Sequence, residues 1–122
     1  MNEMKLGPVE AQFADIIWAK APLTTKELVT LCEKSLNWKR TTTYTVLKKL
    51  CDRGLFAVTD RIVTAKISRE VFYGIQCEHF VEETFSGSLP AFIAAFTARK
   101  ALTPAEQNEI KKLMDALGDN KV

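Results

Sequence analysis

Between Trp38 and Gly54 the chain reads WKRTTTYTVLKKLCDRG. Lys39, Arg40, Lys48, Lys49 and Arg53 give it five positive charges against the single acid Asp52. Three threonines and Tyr44 place hydroxyls directly after the first two cations. Val46, Leu47, Leu50 and Cys51 recur at helical spacing and define one apolar face. The 3.6-residue period then carries Thr41, Thr42, Thr45, Lys48 and Lys49 to the opposite side. Cations neutralise phosphates, and short hydroxyls bond phosphates or base edges. The chemistry this stretch suits is recognition in a DNA major groove. A solvated amphipathic helix would carry the same charges, so the flanking elements have to decide.

Those elements must hold the basic helix with its polar face outward. Gly7-Pro8 opens a first helix, with Pro suited to the first turn. Val9, Phe13, Ile16 and Ile17 form its apolar stripe, Trp18 extends it, and Ala21-Pro22 ends it. Thr24 and Glu27 have the spacing of a capping box for a second helix, whose core face is Leu28, Leu31 and Cys32. Ser35 to Asn37 make the next turn, and Asn37 offers the best capping chemistry for the basic helix that follows. Three short helices with tight turns, the third basic, predict a helix-turn-helix. After Gly54 the pattern changes to Val, Ile, Phe and Thr over Leu55–Thr59 and Ile62–Ile67, with Asp60-Arg61 between. That predicts a β-hairpin and hence a winged helix, with Arg61 as the wing's phosphate contact. A plain helical bundle with a surface hairpin is the alternative.

The rest of the chain is helical. Ser68 caps a long segment closed at Gly87, Ser88 and Pro90 open the next helix, and Thr103 with Glu106 caps the last, which Gly118 stops. These helices carry Phe72, Ile75, Phe80, Leu89, Phe92, Ile93, Phe96, Ile110 and Leu113. So much apolar surface, after a first part able to form its own core, is best buried against a second copy of the chain. An intramolecular cap over the winged helix is the rival reading. The expected architecture is mainly α with a small β-hairpin wing: a winged-helix DNA-binding domain over residues 1–68 and a helical dimerisation region over residues 69–122.

Charge follows that division. Residues 1–68 hold eleven Lys and Arg against seven acids, and residues 69–122 hold six against eight. The basic part is the candidate for nucleic acid, and the acidic part would be repelled by phosphate. No apolar run approaches the roughly 20 residues of a membrane span, and the N-terminus lacks a signal peptide's apolar core. The expected compartment is the cytoplasm, where Cys32, Cys51 and Cys77 stay reduced and serve as small apolar residues. His79 is the chain's one histidine, and Cys77 lies two residues before it on a helix, pointing to nearly the opposite side. Glu82-Glu83 are adjacent and do not face each other. With no phosphate-binding glycine loop either, the sequence predicts neither an enzyme nor a metal or cofactor site.

At RTTTYTVLKKLCDRGL, with Trp38 before it and the early Ile17-Trp18 pair, the chain resembles the penicillinase repressor family of the BlaI/MecI/CopY type. The run FVEETFSGSLPAFIAAFTARKALTPAE is similar to the dimerisation region of the BlaI/MecI branch. The resemblance implies a homodimeric winged-helix transcriptional repressor on a palindromic double-stranded DNA operator. It also implies relief by proteolysis, driven by a membrane-bound sensor-transducer that responds to β-lactam or another cell-envelope signal. The family's cleaved bond maps between Ala95 and Phe96, with Ala95 standing where the best-known members carry asparagine. The paired CxC motifs of the copper-sensing branch are absent. Cations that some members carry within the recognition helix are replaced by Thr41 and Tyr44, with Lys39 and Arg40 just before it. The expected DNA contacts are Lys39, Arg40, Thr41, Thr42, Tyr44, Thr45, Lys48, Lys49 and Arg61. Two other classes fit less well: a winged-helix protein-interaction module, and a repressor that binds a small effector at its dimer interface.

Overall fold

The structure, a computed structural model, describes residues 5–119. In chain order its elements are α1 (Pro8–Lys20), β1 (Leu23–Thr24), α2 (Thr25–Leu36), α3 (Arg40–Asp52), β2 (Phe56–Thr59), β3 (Ile62–Ala65), α4 (Arg69–Phe85), α5 (Leu89–Arg99) and α6 (Pro104–Asp119). It is mainly helical with a small antiparallel sheet, a winged helix followed by helices. Contacts divide it into two units, one ending at His79 and one beginning at Phe80.

The first unit is built around Phe13, Ile17, Leu28, Cys32, Leu50, Leu55, Val63 and Phe72, all fully buried. Their periodicity explains the helices. Phe13 and Ile17 lie one turn apart on α1, Leu28 and Cys32 one turn apart on α2, and Leu47 with Leu50 face inward on α3. Trp18 ties the layers together. Its ring lies 5.5 Å from Phe56, 5.6 Å from Phe72 and 6.0 Å from Tyr73, and its indole N–H donates to the Ile67 carbonyl at 2.9 Å. The stripe expected on α1 needs one change: Val9 is half exposed, and Ala14 takes the inward position.

The capping box at α2 forms as the sequence predicts. Thr24 Oγ1 accepts from the Glu27 N–H at 3.0 Å, and Glu27 accepts from the Thr24 N–H at 2.8 Å. Asn37 does not cap α3. It sits at φ 56° as the left-handed C-cap of α2, a conformation asparagine tolerates better than most residues. Lys39 takes the N-cap of α3, and Arg40 is the helix's first residue rather than a residue before it.

The hairpin pairs Val58 with Val63 and Thr59 with Ile62. Asp60 and Arg61 close it with φ of 52° and 64°, both positive, as in a type I′ turn whose twist matches the strands. Its strands are shorter than expected, because the Leu55 N–H turns back to the Leu50 carbonyl and Ile67 accepts from Trp18. The two-residue β1 adds an edge that the periodicity did not show, pairing Leu23 with Val63 in the order β1-β3-β2.

The second unit holds the end of α4 with α5 and α6. Ser88 Oγ accepts from the Ala91 N–H, and Thr103 and Glu106 exchange the bonds of a capping box. Gly118 does not stop α6, which runs through it to Asp119. Phe80, Phe85 and Phe92 form an aromatic cluster with ring centroids 5.8–6.0 Å apart. No residue of α5 is buried.

Candidate nucleic-acid interface

On α3 the inward side is Thr43, Leu47 and Leu50. The buried Thr43 hydroxyl is satisfied by donating to the Lys39 carbonyl at 3.4 Å. That orientation leaves Thr41, Thr42, Tyr44, Thr45, Lys48 and Lys49 exposed, together with Lys39 and Arg40 at the helix start. No side chain caps α3 and no acid lies in its first turn, whereas Thr24 and Ser88 fill the caps of α2 and α5. The first amides of α3 and the positive end of its dipole therefore face outward beside two cations, a setting that favours anions.

The cations divide into two groups. Toward the C-terminal half of α3 they are partnered within the chain: Lys48 Nζ lies 3.1 Å from Asp52 Oδ2 and Lys49 Nζ 2.6 Å from Glu10 Oε2. Toward the N-terminal half, Arg40 lies over the Tyr44 ring at 5.7 Å. The Tyr44 phenol is lowered below its ordinary range, first by its hydrogen bond with Thr25 and then by Arg40.

This end of α3 opens onto a groove of about 830 Å³ lined by Thr25, Lys26, Val29, Thr30, Glu33, Arg40, Tyr44, Val58 and Arg61. Three elements thus bring Lys26, Arg40 and Arg61 to one concavity. The Thr25 N–H donates to the Arg61 carbonyl at 3.0 Å and pins the wing tip to the start of α2. Of the expected DNA contacts, the structure brings Arg40, Tyr44 and Arg61 together at this groove. Lys26, Thr25 and Thr30 were missed. Their only signal was their position in the first turns of a helix opened by a capping box.

Among the expected dimerisation residues, Leu89, Ile93, Phe96, Ile110, Leu113 and Phe80 are exposed, and Phe92 and Ile75 are partly buried. Phe72 must be withdrawn from that set. It is fully buried in the first unit, against Trp18 and at 5.0 Å from Tyr73. Ala95 and Phe96 lie within α5, both exposed.

Burial pushes the thiols of Cys32 and Cys51 up, away from nucleophilic character. Only Cys32 of the three cysteines is a buried core residue: Cys51 is half-buried and Cys77 exposed. Among the described residues, no cluster of three or more His, Cys, Asp or Glu could hold a metal ion, and no helix is long and apolar enough to cross a membrane.

No curated protein matches the chain. The family model described as penicillinase repressor matches residues 6–116, from the segment before α1 into α6. With the winged helix and its basic, hydroxyl-rich third helix in place, a match over nearly the whole length makes this chain a member of the penicillinase repressor family, DNA-binding transcriptional repressors rather than enzymes.

Proposed function

We propose that the chain represses transcription as a homodimer on a palindromic operator, inserting α3 into the major groove. One observation carries the reading. Thr41, Thr42 and Thr45 face solvent on α3 while Lys39, Arg40 and Arg61 gather at its uncapped end. Hydroxyls read base edges or bond phosphates, and the cations with Lys48 take phosphates on either side. The dimer rests on α5 and α6, where Leu89, Ile93, Phe96, Ile110, Leu113 and Leu117 stay exposed within their own chain. A twofold pair would present two α3 helices to half-sites one helical turn apart.

Relief comes from a cut between Ala95 and Phe96, made when a membrane sensor-transducer reports β-lactam or another cell-envelope signal. Both residues are exposed, and a break there divides the helix that carries Phe92 and Ile93 from its own last turn. The repressor acts in the cytoplasm, where the operator is.

A mobility-shift titration at several salt concentrations, with a duplex selected from a random pool and with unselected DNA, tests the interface. Arg40→Ala should weaken both complexes and reduce the slope of log K against log salt by about 0.9, one phosphate's worth. Thr42→Ala should relax discrimination at one base pair by roughly 1–3 kcal/mol. Equal loss on selected and unselected DNA would show that Thr42 reads no base.

A further inference from the structure

Glu10, in the first turn of α1, is held from several directions. Its Oε1 accepts from the Gly7 N–H at 3.1 Å and lies 3.8 Å from Arg53 Nη1, while its Oε2 lies 2.6 Å from Lys49 Nζ. Arg53 is itself anchored, donating through Nη2 to the Lys5 carbonyl at 2.6 Å. The side chains of Glu10 and Arg53 are 21% and 19% exposed, and that of Lys49 is 58% exposed. The carboxylate is therefore a fixture of the fold, and Lys49 is the partner that reaches water. An anion gripped by two cations and a backbone N–H has the donor set by which proteins take phosphate. Hydrogen bonds from Lys49 and Gly7 hold the carboxyl below its ordinary range, so it is charged at neutral pH.

We infer that Glu10 stands in for a DNA phosphate on the flank of α3: it occupies Lys49, removes it from the backbone contacts, and so holds down affinity for any duplex. The inference rests on the DNA-binding reading above. The Gly7 N–H and Arg53 keep the carboxylate from swinging aside, so an approaching phosphate meets a lysine already neutralised and a negative charge beside it. The loss falls on operator and bulk DNA alike. Sequence choice stays with the hydroxyl face of α3.

The experiment is a fluorescence-anisotropy titration of the full chain on a short random duplex across a salt series. Glu10→Gln keeps the side chain's shape and removes its charge. It should tighten binding by roughly eightfold near 0.1 M salt and steepen the salt slope by about 0.9, one added phosphate contact. Adding Lys49→Gln to that variant should restore the wild-type values. Unchanged or weakened binding by a Glu10→Gln protein that melts like the wild type would overturn the inference. Should that variant not fold, Lys49→Gln alone decides: a wild-type slope supports Glu10 as the competitor, and a slope lower by about 0.9 makes Lys49 a direct phosphate contact. If the wild type binds no duplex even in dilute buffer, the DNA-binding reading itself falls, and the inference with it.

Discussion

The chain up to His79 and the chain from Phe80 are both rich in large apolar residues, and they use them in opposite ways. The first unit buries Phe13, Ile17, Leu50, Phe56 and Phe72 almost completely. In the second, Leu89, Ile93, Phe96, Ile110, Leu113 and Leu117 stand 39–64% exposed. Similar composition thus gives a self-contained core in one region and an unpartnered surface in the other. Burying apolar area contributes about 25 cal/mol per Å², so exposed surface of this kind favours association. The first region can fold on its own contacts. The second leaves much of its apolar surface uncovered within one chain, the surface on which the proposed dimer would form.

The comparison breaks most sharply at Phe72 and Phe80, two aromatic residues on the same helix but in different units. Phe72→Ala should cost the first unit about 3–5 kcal/mol, and Phe80→Ala, at a half-exposed position, well under that. Thermal melts of the two variants measure the contrast, and equal losses would erase the distinction between the units. Next in size is Ile93→Glu. A charge on this face should weaken self-association by about 3 kcal/mol, roughly a hundredfold, while leaving the first unit's melting intact. Light scattering should show the mass falling to that of one chain, and an unchanged mass would remove α5 from the interface.

The smallest effect is the pH dependence of the first unit. The folded Glu10 carboxyl lies below its unfolded range, so its stabilisation is full above the ordinary glutamate range and fades as pH falls through the folded value. Because Lys49 is solvent-exposed, the change should stay within about 1 kcal/mol. Denaturant unfolding across the acid range would register it, and Glu10→Gln should flatten it.

Features with a local cause were readable from the sequence. Capping boxes need only two residues three apart, and both Thr24 with Glu27 and Thr103 with Glu106 form them. The wing was legible from its change of period. What escaped depends on partners distant along the chain. The edge strand β1 is two residues long and exists because Val63 and Ile62 come to meet it. Lys49 reads as a free cation until α1 places Glu10 against it, 39 residues away in sequence. Phe72 reads as part of the C-terminal apolar run until Trp18 claims it. Asn37 was ambiguous locally, since asparagine suits the end of one helix as well as the start of the next.

Arg61 sits at the tip of the hairpin with φ 64°, a setting that glycine occupies freely and that costs other L-residues roughly 1–2 kcal/mol. A glycine there would relieve that strain and empty the wing's tip of charge. The molecule instead carries the strain of a non-glycine residue there, and Arg61 lines the concavity beside α3. If the proposed interface holds, an engineer who relaxed this turn for thermal endurance would be filing away grip on the duplex with every degree gained.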